Sequence, residues 1–242
     1  MSRRGKTYLE ARGMVDRERE HTPAEAMALI KSLPGPNFNE TVEVHVRTGL
    51  NVRHADEQLR GTVALPNGLG KEVTIAVFAQ GDKAREAEEA GADIVGAEDL
   101  AKRIEDGFTE FDVAIATPDL MPVVGRLGRI LGPQGKMPNP KVGTVTMNVT
   151  QAVTEAKAGK IEYRTDRTAI VHLPIGKKQF SERQLLENYA AIIEELIRAK
   201  PSAAKGRYLR TITLASTMGP GVKVDPSRTR EILEEAAPAP AA

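Results

Sequence analysis

The chain has 242 residues, 34 Lys and Arg against 33 Asp and Glu, 40% hydrophobic residues, nine Phe and Tyr, and neither Trp nor Cys. That length supports one large or two ordinary domains with an ample core, and no apolar run approaches membrane-spanning length, so the composition describes a water-soluble globular protein. The missing cysteines exclude disulfides, cysteine-ligated zinc and thiol catalysis, and so few aromatic rings exclude single-strand stacking as the main binding mode.

The basic start, Met1 to Lys6, runs into the charged stretch Glu10 to Glu20 without an apolar signal-peptide core, which predicts a cytoplasmic protein. Pro23 to Leu33 reads as an amphipathic helix with Thr22 as N-cap, stopped by Pro34-Gly35-Pro36. Glu40 to Arg47 alternates apolar and polar residues with period two, the pattern of a half-buried strand. Gly61 to Gly70 reads as a turn region. Then come a strand at Glu72 to Ala79, a helix at Asp82 to Ala90, a short apolar run at Ala92 to Val95, a helix at Glu98 to Asp106, a strand at Phe111 to Ala116 and a helix through Leu120 to Leu131. This alternation predicts a parallel sheet with helices on both faces. Beyond Gly159, Lys160 to Arg164 and Thr168 to Leu173 flank a hairpin turn at Thr165-Asp166-Arg167. Ser181 caps a helix to about Arg198, with Leu185, Ile192, Ile193, Leu196 and Ile197 on one face. Arg207 to Ser216 alternates like a final strand, and Ala236 to Ala242, all Ala and Pro, reads as a frayed tail.

Charge divides the same way. Residues 1–67 with 159–242 hold 24 Lys and Arg against 19 Asp and Glu, whereas residues 68–158 hold 10 against 14. The expected architecture is α/β with two domains: a split α+β domain from both chain ends, 1–67 and 159–242, and an inserted Rossmann-like three-layer domain, 68–158. The terminal domain is the better polyanion binder. Leu120 to Thr154 contains no acid, and within it Gly125 to Lys141 sets Arg126, Arg129, Lys136 and Lys141 among glycines and prolines. That mixture predicts a shaped, exposed basic loop suited to a phosphate backbone, against the plainer reading of a solvated connection.

Met121 to Pro140, Phe38 to His45 and Ser216 to Pro220, together with Arg60 to Lys71 and Gly159 to Arg164, resemble the family of bacterial large-subunit ribosomal protein one, over roughly residues 20–225. The resemblance implies a non-catalytic constituent of the large ribosomal subunit, bound to the 23S rRNA of the mobile stalk. It also implies assistance to deacylated tRNA leaving the exit site, and repression of translation from the protein's own operon mRNA. Carried over residue by residue, it points to Phe38, Thr41, Lys160, Arg164, Asp166, Lys177, Thr217, Met218 and Gly219 as RNA contacts, and puts the tRNA contact on the inserted domain, with the cations of the basic loop facing it. The inserted domain would then reposition about connections near Pro66-Asn67-Gly68 and Ala158-Gly159.

From the residues alone, other readings stay open. Arg164 has Asp166 and Glu162 as local ion-pair partners, Phe38 fits a core anchor, and Ser216 to Pro220 fits a strand leaving its sheet through a Gly-Pro turn. Catalysis and cofactors find no support: Gly125, Gly128, Gly132 and Gly135 do not make a dinucleotide fingerprint, Gly135-Lys136 is followed by Met137 where a phosphate loop needs Ser or Thr, and His21, His45, His54 and His172 are scattered, with no metal motif.

Overall fold

The computed structural model describes residues 5–228; the basic residues 1–4 and the Ala/Pro tail lie outside the described residues. In chain order the elements are helices α1 (Lys6–Gly13) and α2 (Pro23–Ser32), strands β1 (Thr41–Thr48), β2 (Arg60–Ala64) and β3 (Ile75–Phe78), α3 (Asp82–Glu89), β4 (Ile94–Gly96), α4 (Glu98–Glu105), β5 (Val113–Ala116), α5 (Met121–Arg126), α6 (Gly128–Leu131), α7 (Val149–Lys157), β6 (Lys160–Arg164), β7 (Ile170–Lys177), α8 (Glu182–Arg198), β8 (Leu209–Ser216) and β9 (Val222–Val224). This mixed α/β chain separates into two compact units, residues 5–70 with 161–228 and residues 71–160. Among the described residues no helix is long and apolar enough to cross a membrane.

The first unit is organised by β1, whose alternation sends Val42, Val44 and Val46 into the core and leaves Thr41, Glu43, His45 and Arg47 on the opposite face. β1 lies inside an antiparallel sheet of order β7-β1-β8-β9, and α2 and α8 share its hydrophobic core. Both helices begin with reciprocal capping boxes, Thr22 with Glu25 and Ser181 with Gln184. On α8, Leu185, Ile192, Ile193 and Leu196 are buried as expected, but Ile197 is exposed.

Three expectations in this unit are corrected. Residues 60–64 are strand rather than turn: β2 pairs with β6, and Gly61 leaves room for the ring of Tyr163, whose hydroxyl would stand 2.7 Å from a Cβ there. The hairpin at 165–167 is not a ladder. Thr165 donates its amide to Leu59, which keeps β6 with β2, while β7 joins β1, and one bridge, Thr165 to Val171, links the two sides. β8 is not the final strand, since Gly221 permits a return into β9, which pairs Val222 with Leu214.

Opposite β1, β7 carries a bulge at Ile175-Gly176, where Val42 pairs with Gly176 and Glu43 with Pro174. Gly176 has φ 149°, and a Cβ there would stand 2.8 Å from the ring of Phe180. Fully buried Asn188 receives the carbonyl that the bulge frees: its Nδ2 donates to Ile175 O at 2.7 Å and to Gly68 O at 3.0 Å, while Oδ1 accepts from the Asn67 amide at 3.0 Å.

The second unit holds a three-stranded parallel sheet of order β4-β3-β5. Ile75 and Val77 face a core with α3 and α7, whereas Ala76 and Phe78 face one with α4, α5 and α6, so every β3 residue is buried, as parallel sheets require. Over 125–141 the basic-loop reading is corrected in its first half, where the helix expected through Leu120 to Leu131 is present instead. Leu120, Val124, Leu127 and Leu131 recur at helical spacing and pack into one core, so the chain stays helical to Leu131, with a break at Leu127. Gly125 and Gly128 are tolerated because this apolar stripe is anchored by tertiary packing.

Candidate nucleic-acid interface

Strand register brings three segments to one end of the four-stranded sheet. Thr41 opens β1, Lys177 closes β7 opposite it, and Ser216 closes β8 opposite Val42. Past the strand end, the Thr217 amide donates to Thr41 O at 3.0 Å, and the Thr217 hydroxyl accepts from the Thr41 amide at 3.0 Å and lies 3.2 Å from Thr41 O. Lys177 Nζ donates to Thr41 Oγ1 at 2.9 Å. Thr41, Lys177 and Thr217 are therefore one hydrogen-bonded group.

Beneath it sits Glu40, whose residue is 2% exposed. Its Oε1 accepts from Ser216 Oγ at 3.2 Å and from the Met218 amide at 2.9 Å, and its Oε2 accepts from Lys178 Nζ at 3.2 Å. Lys178 also donates to Leu33 O at 2.7 Å. Gly35 permits this approach, because a Cβ there would stand 2.5 Å from Glu40 Oε2. The turn closes with the Gly219 amide donating to Ser216 O at 3.0 Å, and a Cβ on Gly219 would collide with Ser216 Oγ. The result is a tight, internally bonded edge that leaves Met218 60% and Phe38 55% exposed. The reading of Phe38 as a core anchor is thereby overturned.

Arg164 and Asp166 are not part of this cluster. Ile170, just after the Asp166 turn, pairs with Arg47 at the other end of β1, six residues from Thr41, or about 20 Å along an extended strand. Arg164 is exposed and makes no ion pair among the described residues: Glu162 is taken by Arg60 at 2.7 Å, and Asp166 Oδ1 accepts from the amides of Thr168 at 2.8 Å and Ile170 at 2.7 Å. Partial burial opposes ionisation of Asp166, yet the Ile170 amide, the hydroxyl and amide of Thr168, and His172 together hold its carboxyl down to about 2, from an ordinary 3.8. A depressed carboxylate contributes stability that is present above its unfolded value and lost as pH falls through the folded one. Acid titration is therefore expected to release the 165–170 turn between about pH 4 and pH 2, and Asp166→Asn to abolish that component; an identical acid profile would sink this.

Lys160 Nζ is held by Glu155 at 2.6 Å. On the second unit, Arg126, Arg129 and Lys141 are exposed, whereas Lys136 is drawn inward, donating to Thr109 O at 2.9 Å and standing 5.2 Å from the centre of the Phe111 ring. Three of the four expected cations of this segment thus reach solvent freely.

Sequence reasoning missed Glu40, Lys178 and Ser216, the buried support of the edge. For two of them the signal was parity: Glu40 is in step with Val42, Val44 and Val46, and Ser216 with Ile212 and Leu214, so both point inward where polar groups need partners. As a whole, the sheet end offers fixed hydroxyls, a lysine, a glycine-lined backbone and an exposed thioether. These suit a sugar-phosphate surface and provide no nucleophile-and-base pair.

A model of the ribosomal protein L1p/L10e family matches residues 29–220. Large ribosomal subunit protein uL1 of Rubrobacter xylanophilus is 60% identical over 228 residues, covering 94% of this chain and 99% of that protein.

Proposed function

Because this chain belongs to the ribosomal protein L1p/L10e family, we propose that it is a structural constituent of the large ribosomal subunit, ribosome-bound in the cytoplasm, that grips the 23S rRNA of the mobile stalk with the sheet end around Thr41 and Thr217. The family is one of structural RNA-binding proteins, not enzymes. The observation that carries the site is the preassembled edge: Thr217 locked to Thr41, with Met218 held out on a turn anchored by buried Glu40. Duplex RNA exposes 2′-hydroxyls on a wide, shallow minor groove, and a rigid backbone edge with small hydroxyls reads that shape without ordering cost at binding. Lys177 at this end, and Arg164 about 20 Å away, set register on the phosphates, and Asp166 is an acceptor for ribose hydroxyls. Lys160, at the start of β6, supplies a further cation.

The test is titration with the stalk rRNA fragment against unrelated duplex competitor at several salt concentrations. A saturable complex that resists competitor, with a shallow salt slope, is expected; binding that competitor and salt both abolish would refute it. Thr217→Ala leaves the Thr41 amide without its side-chain acceptor and should weaken the complex by about 1–3 kcal/mol. Wild-type affinity would move the site elsewhere.

Two finer roles extend this reading. The second unit would touch exit-site tRNA through Arg126, Arg129 and Lys141, since these cations are exposed on an acid-free segment. Replacing all three with Gln should spare stalk-RNA affinity while slowing tRNA release from reconstituted ribosomes; unchanged release would count against it. The same sheet end would also bind a copy of the rRNA site in the protein's own mRNA and repress its translation, and a leader transcript that fails to bind would exclude this without touching the ribosomal role.

A further inference from the structure

Midway along β1, His45 and His172 stand directly opposite each other on the solvent face of the four-stranded sheet. Their Nδ1 atoms are 2.8 Å apart, with ring centres 5.0 Å apart. Each outer nitrogen looks toward a carboxylate: His172 Nε2 is 3.6 Å from Asp166 Oδ2, and His45 Nε2 is 3.8 Å from Glu43 Oε2. On β8, Thr213 lies opposite His45. Both imidazoles reach solvent, at 29% and 50% side-chain exposure.

A neutral imidazole carries one N–H, so four nitrogens share two hydrogens. If both hydrogens sit on Nε2, toward the carboxylates, two bare Nδ1 lone pairs confront each other at 2.8 Å. Moving one to Nδ1 relieves that contact but turns a bare Nε2 toward a carboxylate. The second arrangement makes an N–H···N hydrogen bond across the pair, whereas a cation shared by the two Nδ1 lone pairs leaves an N–H facing each carboxylate.

We propose that His45 and His172 form a binding site for a divalent transition-metal cation, held by the two Nδ1 atoms, with the Nε2–H groups oriented by Glu43 and Asp166. A carboxylate behind each ligating imidazole is the usual second tier of such sites. With metal–nitrogen bonds of about 2.05 Å, two cis ligands of a square or octahedral ion stand about 2.9 Å apart, and two tetrahedral ligands about 3.3 Å apart. The observed 2.8 Å favours Cu(II) or Ni(II) over zinc, and the nitrogen donors disfavour magnesium and calcium. Among the described residues no group of three or more His, Cys, Asp or Glu could hold a metal ion, so water completes the coordination.

The untagged full chain, without RNA, is titrated at pH 7 with Ni(II) by calorimetry and with Cu(II) while the imidazole proton resonances are followed. One equivalent should bind, with the His45 and His172 resonances broadening before those of His21 and His54. His45→Gln and His172→Gln should each weaken binding at least tenfold, and His54→Gln should not. Unchanged affinity in both pair variants, or simultaneous broadening of all four histidines, would overturn the proposal. Thermal melts of each variant report folding, and His172, the more exposed of the two, keeps the test readable if His45→Gln proves unstable.

Discussion

Glu40→Ala is expected to cost about 3–5 kcal/mol of stability, read from denaturant unfolding of the first unit. The substitution removes the acceptor for Ser216 Oγ, the Met218 amide and Lys178 Nζ together. The Lys178 side chain is only 18% exposed, so its ammonium would be left beside Leu33 O with no counterion. An uncompensated buried charge is the costly half of a broken ion pair, whereas removing both charges is often neutral. Glu40→Gln, which keeps the oxygen for the turn, should cost less, and Glu40→Gln with Lys178→Met should recover part of the loss. If Glu40→Ala melted within about 1 kcal/mol of wild type, the carboxylate would not be the pivot of this sheet end.

Gly219→Val should weaken stalk-RNA binding about 10–100-fold, roughly 1.4–2.7 kcal/mol, with secondary structure retained. A side chain there meets Ser216 Oγ, which is held in place by Glu40. Either Ser216 gives up that bond or the turn opens, and both displace Met218 and Thr217 from the edge that faces RNA in the proposed complex. Gly219→Ala tests the mechanism by degrees, since one methyl group meets the same atom with less bulk behind it. Full affinity in the valine variant would mean that RNA does not lie against this turn.

Period-two and period-3.6 patterns were readable wherever one face of an element alone is buried. β1 and α8 emerged near their observed limits, because Val42, Val44 and Val46, or Leu185, Ile192 and Leu196, mark a single buried side. β2 was missed because Arg60-Gly61-Thr62 shows no alternation, and its strand character comes from pairing with β6 and from Tyr163 filling the space over Gly61. The 165–167 hairpin misled because a turn says nothing about whether its arms stay together, and here Leu59, more than a hundred residues earlier, takes the Thr165 amide. At the sheet end, residue types pointed to Thr41, Lys177 and Thr217, but only the register of β7 and β8 against β1 makes them neighbours. The His45–His172 apposition was out of reach for the same reason: scattered in sequence, they meet only through strand pairing.

Sheet order also sets a timetable for synthesis. β1 has β7 on one side and β8 on the other, and both follow the contiguous 71–160 unit. At roughly 5–20 residues per second, β1 leaves the translating ribosome about ten to thirty seconds before β8 does, with both edges unpaired until β7 follows and three valines exposed. The 71–160 unit is one contiguous segment with its own cores, so it is expected to fold in that interval, shortening the loose chain that β1 must close across. Each nascent copy is therefore expected to pass through a stage in which an apolar strand waits for partners not yet made. Crowded expression, rather than the finished protein, is where aggregation should begin.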